Sequence, residues 1–377
     1  MEQKANMKRE LRELPAPEPS AGIETYKRER DLALAADPRR ADNYQKYSAS
    51  HRRDSDVSYL PIKLDIENVS RCNYKCTMCV VSDWAMGKRA DDMPLESFKA
   101  LLDEQYGLVE IKLQGIGEPT IQGDAFFRMI AYARSKHIWV RTTTNASLLH
   151  LKNNWQKLAD AGPNEIQISI DGATADVFEK IRRGSVFKQV TENCKTINRY
   201  LTDQDKRITK MWTVVQKENR HQLPDIVDLA RELGFRDLAF ALSLANWGLD
   251  EWRDRNDAVT VEDSVSNDEA WRLIERGKRL GVRVGFWNST DKYSTHAFET
   301  LCPWPFERAV VTSDLRTVPC CTIGNPDAYE IGRDLKKSFT ELWASKEYKE
   351  FRQAHLDGQI PDVCKSCYYE IDKKLIG

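Results

Sequence analysis

The segment 71–81, RCNYKCTMCVV, places cysteines at 72, 76 and 79 of a 377-residue chain that holds nine in all. Two cysteines make a disulfide and four close a tetrahedral zinc site, so three on one short loop form an incomplete ligand set. The C-x3-C-x2-C spacing lets three thiolates converge from one side on a cubane [4Fe–4S] cluster and leaves one iron without a protein ligand. Zinc requires a fourth ligand, and no histidine lies in the loop. A redox C-x-x-C of Cys76 and Cys79 leaves Cys72 without a role. The cluster is therefore the expectation.

A second set, Cys302, Cys320, Cys364 and Cys367, is spaced C-x17-C, then a long gap, then C-x2-C. A strand at RAVVTS, a turn through Ser313 and Asp314 and a strand at TVPCC predict a hairpin that draws 302 and 320 together. The helix SFTELWASKEYKEFRQAHLDG then returns the chain to place 364 and 367. Taken alone, this set reads as a structural four-cysteine zinc site. Cys194 stands apart and reads as a small buried apolar residue.

These motifs sit in a chain of net charge −1 with 41% hydrophobic and 31% charged residues. That balance gives no basic field for nucleic acid. No apolar run reaches eighteen residues and the N-terminus is charged rather than a signal peptide, so no membrane is expected and a cytoplasmic protein is. An odd, clustered cysteine count in a reducing compartment favours metal ligation over disulfides.

The elements that must position the cysteines follow a regular rhythm. Residues 1–57 read as a charged leader, one or two surface helices or a partly disordered arm. From YLPIKLDIENVS onward, six strands alternate with helices through residue 246, which predicts an α/β fold with a parallel sheet and right-handed crossovers. Residues 247–297 read as a linker with a helix and a strand, and 298–377 as the second cysteine-bearing domain. At the strand ends, where such folds bind ligands, lie Gly115, Gly117, Glu118, Thr144, Asn145, Ser169, Asp171, Gln216 and Asn219. Asp171 is either a ligand contact or the N-cap of the following helix.

CNYKCTMC together with GIGEP (115–119) resembles the radical S-adenosylmethionine (SAM) superfamily, whose motifs are C-x3-C-x2-C and Gly-Gly-Glu-Pro. Ile116 and Met78 are departures from that pattern. The resemblance covers about residues 60–245 and implies a partial (β/α)6 TIM-type barrel. It implies that SAM chelates the open iron through its amino and carboxylate groups. Electron delivery, from a flavodoxin or ferredoxin, then yields a 5′-deoxyadenosyl radical that abstracts a hydrogen atom from substrate. Carried over by position, Glu118 receives the SAM amino group, and Asn145, Ser169 and Asp171 contact its carboxylate or ribose, with Arg182 or Arg183 assisting. The C-terminal segment is similar to the SPASM/twitch extension, which implies one auxiliary [4Fe–4S] cluster on Cys302, Cys320, Cys364 and Cys367. Cys321 is then a neighbour, an alternate ligand or a catalytic thiol that returns a hydrogen atom, in that order.

The expected substrate is a small molecule, a sugar, aminocyclitol or nucleotide-linked metabolite, undergoing oxidation or epimerisation. The leader lacks the alternating strands of the precursor-peptide-binding domain that many peptide-modifying relatives carry. Trp247, Trp252 and Trp287, with Asp250, Arg253 and Arg255, offer a stacking wall for a sugar, or else pack on the barrel rim. The alternatives are a peptide- or protein-modifying maturase and a non-catalytic iron–sulfur carrier; GIGEP argues against the carrier.

Overall fold

A computed structural model describes residues 13–261, 264–288, 291–332 and 338–371. The first twelve residues of the leader and residues 372–377 of the C-terminal segment lie outside them. The six expected strands are present: β1 Lys63–Ile66, β2 Glu110–Leu113, β3 Trp139–Thr144, β4 Glu165–Ser169, β5 Thr209–Val214 and β6 Asp237–Ala241. They pair in parallel in chain order, and amphipathic helices such as Asp124–Ser135 and Leu223–Glu232 cover their outer face.

The sheet extends beyond these six at both edges. The strand expected in the linker, β7 (Arg283–Trp287), pairs in parallel with β6. The C-terminal hairpin, β9 (Arg308–Val311) and β10 (Thr317–Val318), joins the opposite edge through parallel pairing of β9 with β1. The result is one nine-stranded sheet in the order β10-β9-β1-β2-β3-β4-β5-β6-β7, a partial barrel left open between β7 and β10. Two short strands, β8 (Tyr293–Ser294) and β11 (Tyr368–Glu370), pair separately and bring the last cysteine loop back to the barrel.

Parallel strands buried on both faces usually read as continuous apolar runs. Here they alternate. Leu64, Ile66, Ile111, Leu113, Ile166 and Ile168 point outward and are fully buried in the core. Asp65, Lys112, Arg141, Glu165, Gln167 and Lys210 point inward and line a cavity of about 220 Å³. The barrel interior is thus a polar lumen rather than a packed core.

The leader closes the lower mouth of that lumen. Helices Ile23–Ala36 and Pro38–Ser50 bring Tyr26 Oη to 2.8 Å from Glu110 Oε2 and Tyr47 Oη to 2.5 Å from Glu307 Oε2. Before them, Ser20 N donates to Glu165 and Lys210 Nζ donates to Glu18 O, while Pro17, Glu18 and Pro19 line the cavity. The two leader helices lie largely exposed, with only Ala33, Arg40 and Asn43 buried, while the segment before them plugs the lumen, because the charged lower ends of β2, β4 and β5 require polar partners.

At the upper end Glu67, just past β1, is buried with Arg89, their nearest atoms 2.7 Å apart. Glu67 also accepts from Ile116 N and Ser313 N, and Arg89 reaches Asp314 in the β9–β10 turn at 2.9 Å. Removing one member of a buried pair strands the other charge, at a cost of about 3–5 kcal/mol. Arg89→Met is therefore expected to lower unfolding stability by that amount, read as the urea midpoint of anaerobic protein. An unchanged midpoint would refute the pairing.

Candidate active site

The first cysteine loop follows β1 and docks on the turn after the helix Ala175–Ile181. Lys75 N donates to Arg183 O at 2.9 Å and Thr77 N to Ile181 O at 3.0 Å. Gly184, at φ +90°, supplies the left-handed backbone that this turn requires. Inside the loop, Cys79 N and Ser82 Oγ both donate to Cys76 O. Burial pushes all three thiols up, Cys79 to about 12, and the charge of Cys76 raises both Cys72 and Cys79 further. The three sulfurs therefore sit within electrostatic reach of one another, and metal binding must displace their protons.

GIGEP packs directly against this loop. A Cβ on Gly117 would collide with the backbone of Val69 and Arg71, and Glu118 N donates to Arg71 O at 2.9 Å. A Cβ on Gly115 would overlap the Glu67 side chain, so that glycine makes room for the Glu67–Arg89 pair. Glu118 is buried. Its Oε1 accepts from Thr120 N, Thr120 Oγ1 and Thr144 Oγ1, and its Oε2 from Asn145 N at 2.7 Å. Oε2 thus retains acceptor capacity beside Cys72, to which Glu118 is electrostatically coupled.

Asn145 Nδ2 bridges to Asn73 Oδ1 at 3.0 Å and stands 4.0 Å from Cys72 Sγ. Arg182 lies near Cys76 and pairs with Asp171 at 2.7 Å. Asp171 is not the helix cap, since Thr174 occupies that position. Its Oδ1 instead accepts from Val214 N, and Asn219 donates to its carbonyl, tying β4 to β5. Ser169 ends β4 half-exposed, and Gln216 N is held by Asn219 Oδ1. The fold thus gathers Glu118, Asn145 and Arg182 at the first triad, with Asp171 behind Arg182.

The second set, Cys302, Cys320, Cys364 and Cys367, lines one cavity. Cys302 N donates to the Tyr368 hydroxyl at 3.1 Å, and Cys364 and Cys367 lie on the tight turn 362–367. Cys364 is electrostatically coupled to Cys302, Cys320 and Cys367. The helix Lys346–Leu356 is anchored by buried Arg352, which donates to the carbonyls of Ser55, Pro305 and Trp343. Among the described residues no three His, Cys, Asp or Glu side chains stand at single-ion spacing. Zn–S bonds of about 2.3 Å would place zinc-bound sulfurs roughly 3.8 Å apart.

Cys321, next to Cys320, opens onto the lumen, with Asp65, Lys112 and Arg308 in electrostatic reach; burial pushes its thiol up to about 12. Cys194 is fully buried in the core. The lumen side chains Lys112, Trp212 and Lys292 are functional candidates that motif reading misses. The signal for Lys112 is the charged alternation inside an otherwise apolar strand. The three tryptophans do not form one wall, which corrects that expectation. Trp247 donates to Met78 O, Trp252 is buried beneath Arg255, and only Trp287 lines the lumen. Gly117→Ala is expected to displace residues 69–71 and lower iron bound at the first loop by half or more, measured against an unchanged circular dichroism spectrum. Full iron loading would refute the close packing.

Residues 68–230 match the Radical SAM superfamily and residues 302–368 the SPASM iron–sulfur cluster-binding domain. The PqqA peptide cyclase of Bradyrhizobium diazoefficiens is 22% identical over 326 residues, 85% of this chain and 82% of that protein. The mycofactocin maturase MftC of Mycolicibacterium smegmatis is 27% identical, over 81% of this chain and 75% of that protein. Streptococcus suis SuiB, solved with its precursor peptide SuiA, superposes with a TM-score of 0.62 at 16% identity, covering 86% of this chain and 73% of that one. Together with the dispersed tryptophans, a peptide cyclase and a maturase among the relatives overturn the expectation of a sugar, aminocyclitol or nucleotide-linked substrate. No described helix is long and apolar enough to cross a membrane. The cofactors are a SAM-binding [4Fe–4S] cluster, S-adenosylmethionine and an auxiliary iron–sulfur cluster. The chain belongs to the radical SAM superfamily and carries a C-terminal SPASM cluster-binding domain.

Proposed function

We propose that the protein is a peptide-modifying radical SAM maturase. The observation that carries this reading is similarity to a peptide cyclase and a maturase over 85% and 81% of this chain, in a chain with a charged lumen whose wall carries the second thiol set. In it, Cys72, Cys76 and Cys79 hold the SAM-binding cluster, and Cys302, Cys320, Cys364 and Cys367 hold the auxiliary one. When bound, these groups supply a 5′-deoxyadenosyl radical and an electron acceptor.

The chain's own residues bind and orient. Glu118 Oε2 takes the SAM amino group, with Gly117 allowing the close backbone approach and Gly115 leaving room for Glu67. Arg182 and Asn145 serve the SAM carboxylate, Asp171 holds Arg182, and Ser169 faces the ribose. The plug at 15–20 excludes water from below, which protects a radical from quenching. Nine cysteines without a disulfide support a cytoplasmic setting.

A closed four-thiol set beside the lumen supports an oxidative outcome. Cys321 facing the same lumen favours a second reading, return of a hydrogen atom from its thiol with net epimerisation. The two separate in D2O: thiol return places solvent deuterium at the reacting carbon and is lost in Cys321→Ala, whereas oxidation incorporates none.

The assignment is tested with reconstituted anaerobic protein, SAM, dithionite and the short peptide encoded nearest the gene. A mass change in the peptide with 5′-deoxyadenosine is expected; 5′-deoxyadenosine with an unaltered peptide would count against the peptide reading. Changing Cys72, Cys76 and Cys79 together to Ala should halve the iron and abolish 5′-deoxyadenosine. Unchanged iron would overturn the ligand assignment.

A further inference from the structure

The cations of the lumen are nearly all matched within the chain. Lys210 pairs with Glu165 at 2.8 Å and Arg141 with Glu110 at 3.1 Å. Arg308 lies 3.5 Å from both Asp65 and Glu110, and Lys292 Nζ sits 3.2 Å from the centre of the Trp287 ring. Lys112 is the exception: it lines the cavity and makes no hydrogen bond or ion pair with any described residue. Burial lowers its pKa; Asp65 and Cys321 raise it, and Arg141 and Arg308 lower it. Beside it on β1, in register, is Asp65, whose buried Oδ1 has no hydrogen bond, as is also true of Arg308 Nε.

An enclosed ammonium without a partner calls for an anion. Asp65 Oδ1, approached only by Arg308 at 3.5 Å, has room for an N–H or O–H donor. One amino-acid residue of a peptide offers both. The cavity, at about 220 Å³, falls below the roughly 300–1,000 Å³ of pockets that take drug-sized ligands. Cys302, Cys320, Cys364 and Cys367 line the same cavity, so it also holds the auxiliary cluster, and the part beside Lys112 suits one side chain. Its remaining wall, Trp212 and Trp287 with ring centres 6.3 Å apart, supplies apolar surface, and Cys321 opens onto the same space.

We propose that the lumen seats a carboxylate of the peptide substrate, from an acidic side chain or the C-terminus, with Lys112 as its counter-ion. This rests on the peptide reading above. The test is calorimetric titration of reconstituted, SAM-bound protein with four probes: acetyl-Ala-Glu-Ala-amide, acetyl-Ala-Gln-Ala-amide, acetyl-Ala-Ala-Ala with a free C-terminus, and glutarate. At least one carboxylate peptide is expected to bind tenfold or more tighter than the glutamine amide, and which one does so identifies the source. Lys112→Met and Lys112→Gln should lose that preference at unchanged iron content, and Lys112→Arg should keep most of it.

Equal binding of all three peptides would leave the peptide reading standing and overturn the carboxylate seat. Lys112-dependent binding of glutarate alone would keep the seat and sink the peptide reading. A preference that survives Lys112→Met, or no binding of any probe, overturns the proposal. So does a tenfold loss of SAM affinity in Lys112→Met, which would place the lysine on the SAM carboxylate instead.

Discussion

The buried pair of Glu67 and Arg89 holds four segments in one arrangement. Glu67 leaves β1 immediately before the first cysteine loop, and Arg89 lies immediately after it. Through Ile116 N the carboxylate fixes GIGEP, and through Ser313 N and the Arg89–Asp314 pair it fixes the hairpin that carries Cys320 and Cys321. A buried charge pair is weak evidence for net stability, but separating this one would leave a buried charge unmatched. The absence of a Cβ at Gly115 is what admits the Glu67 side chain. The two cysteine regions, 223 residues apart from Cys79 to Cys302, are thereby registered on one sheet edge.

The second organising feature is the reversed polarity of the barrel. Apolar faces turn out toward the helices and charged faces turn in. The chain can hold those charges only by matching them: Lys210 with Glu165, and Arg141 and Arg308 with Glu110. The leader then completes the matching with backbone groups, Ser20 N and Glu18 O. A lumen built this way is preorganised, with charges fixed before a ligand arrives, and such fixed charges act strongly where water is excluded.

Some residues have roles that local sequence cannot carry. Asp171 stands before a helix and has the type of an N-cap, yet its carboxylate bridges β4, β5 and Arg182. Trp247, Trp252 and Trp287 fall within 41 residues and still go to three environments: the backbone of the cysteine loop, a buried helix face and the lumen. Proximity along a chain that turns between elements says little about where side chains point.

By itself the sequence determined what its short motifs constrain. Three cysteines in eight residues limit the thiolates to one loop, and GIGEP requires glycine where backbones touch. The repeating helices and strands specify a parallel α/β sheet through local periodicity, and the partial barrel follows from the family resemblance. Only the tertiary structure decided what depends on distant partners. It placed β7 and the β9–β10 hairpin in the main sheet, turned the segment before the leader helices into a plug, opened Cys321 onto the lumen and left Lys112 without an ion pair. Those outcomes depend on pairing across tens to hundreds of residues. Alternating charge along a strand states that one face is polar, but not which groups close the space it faces.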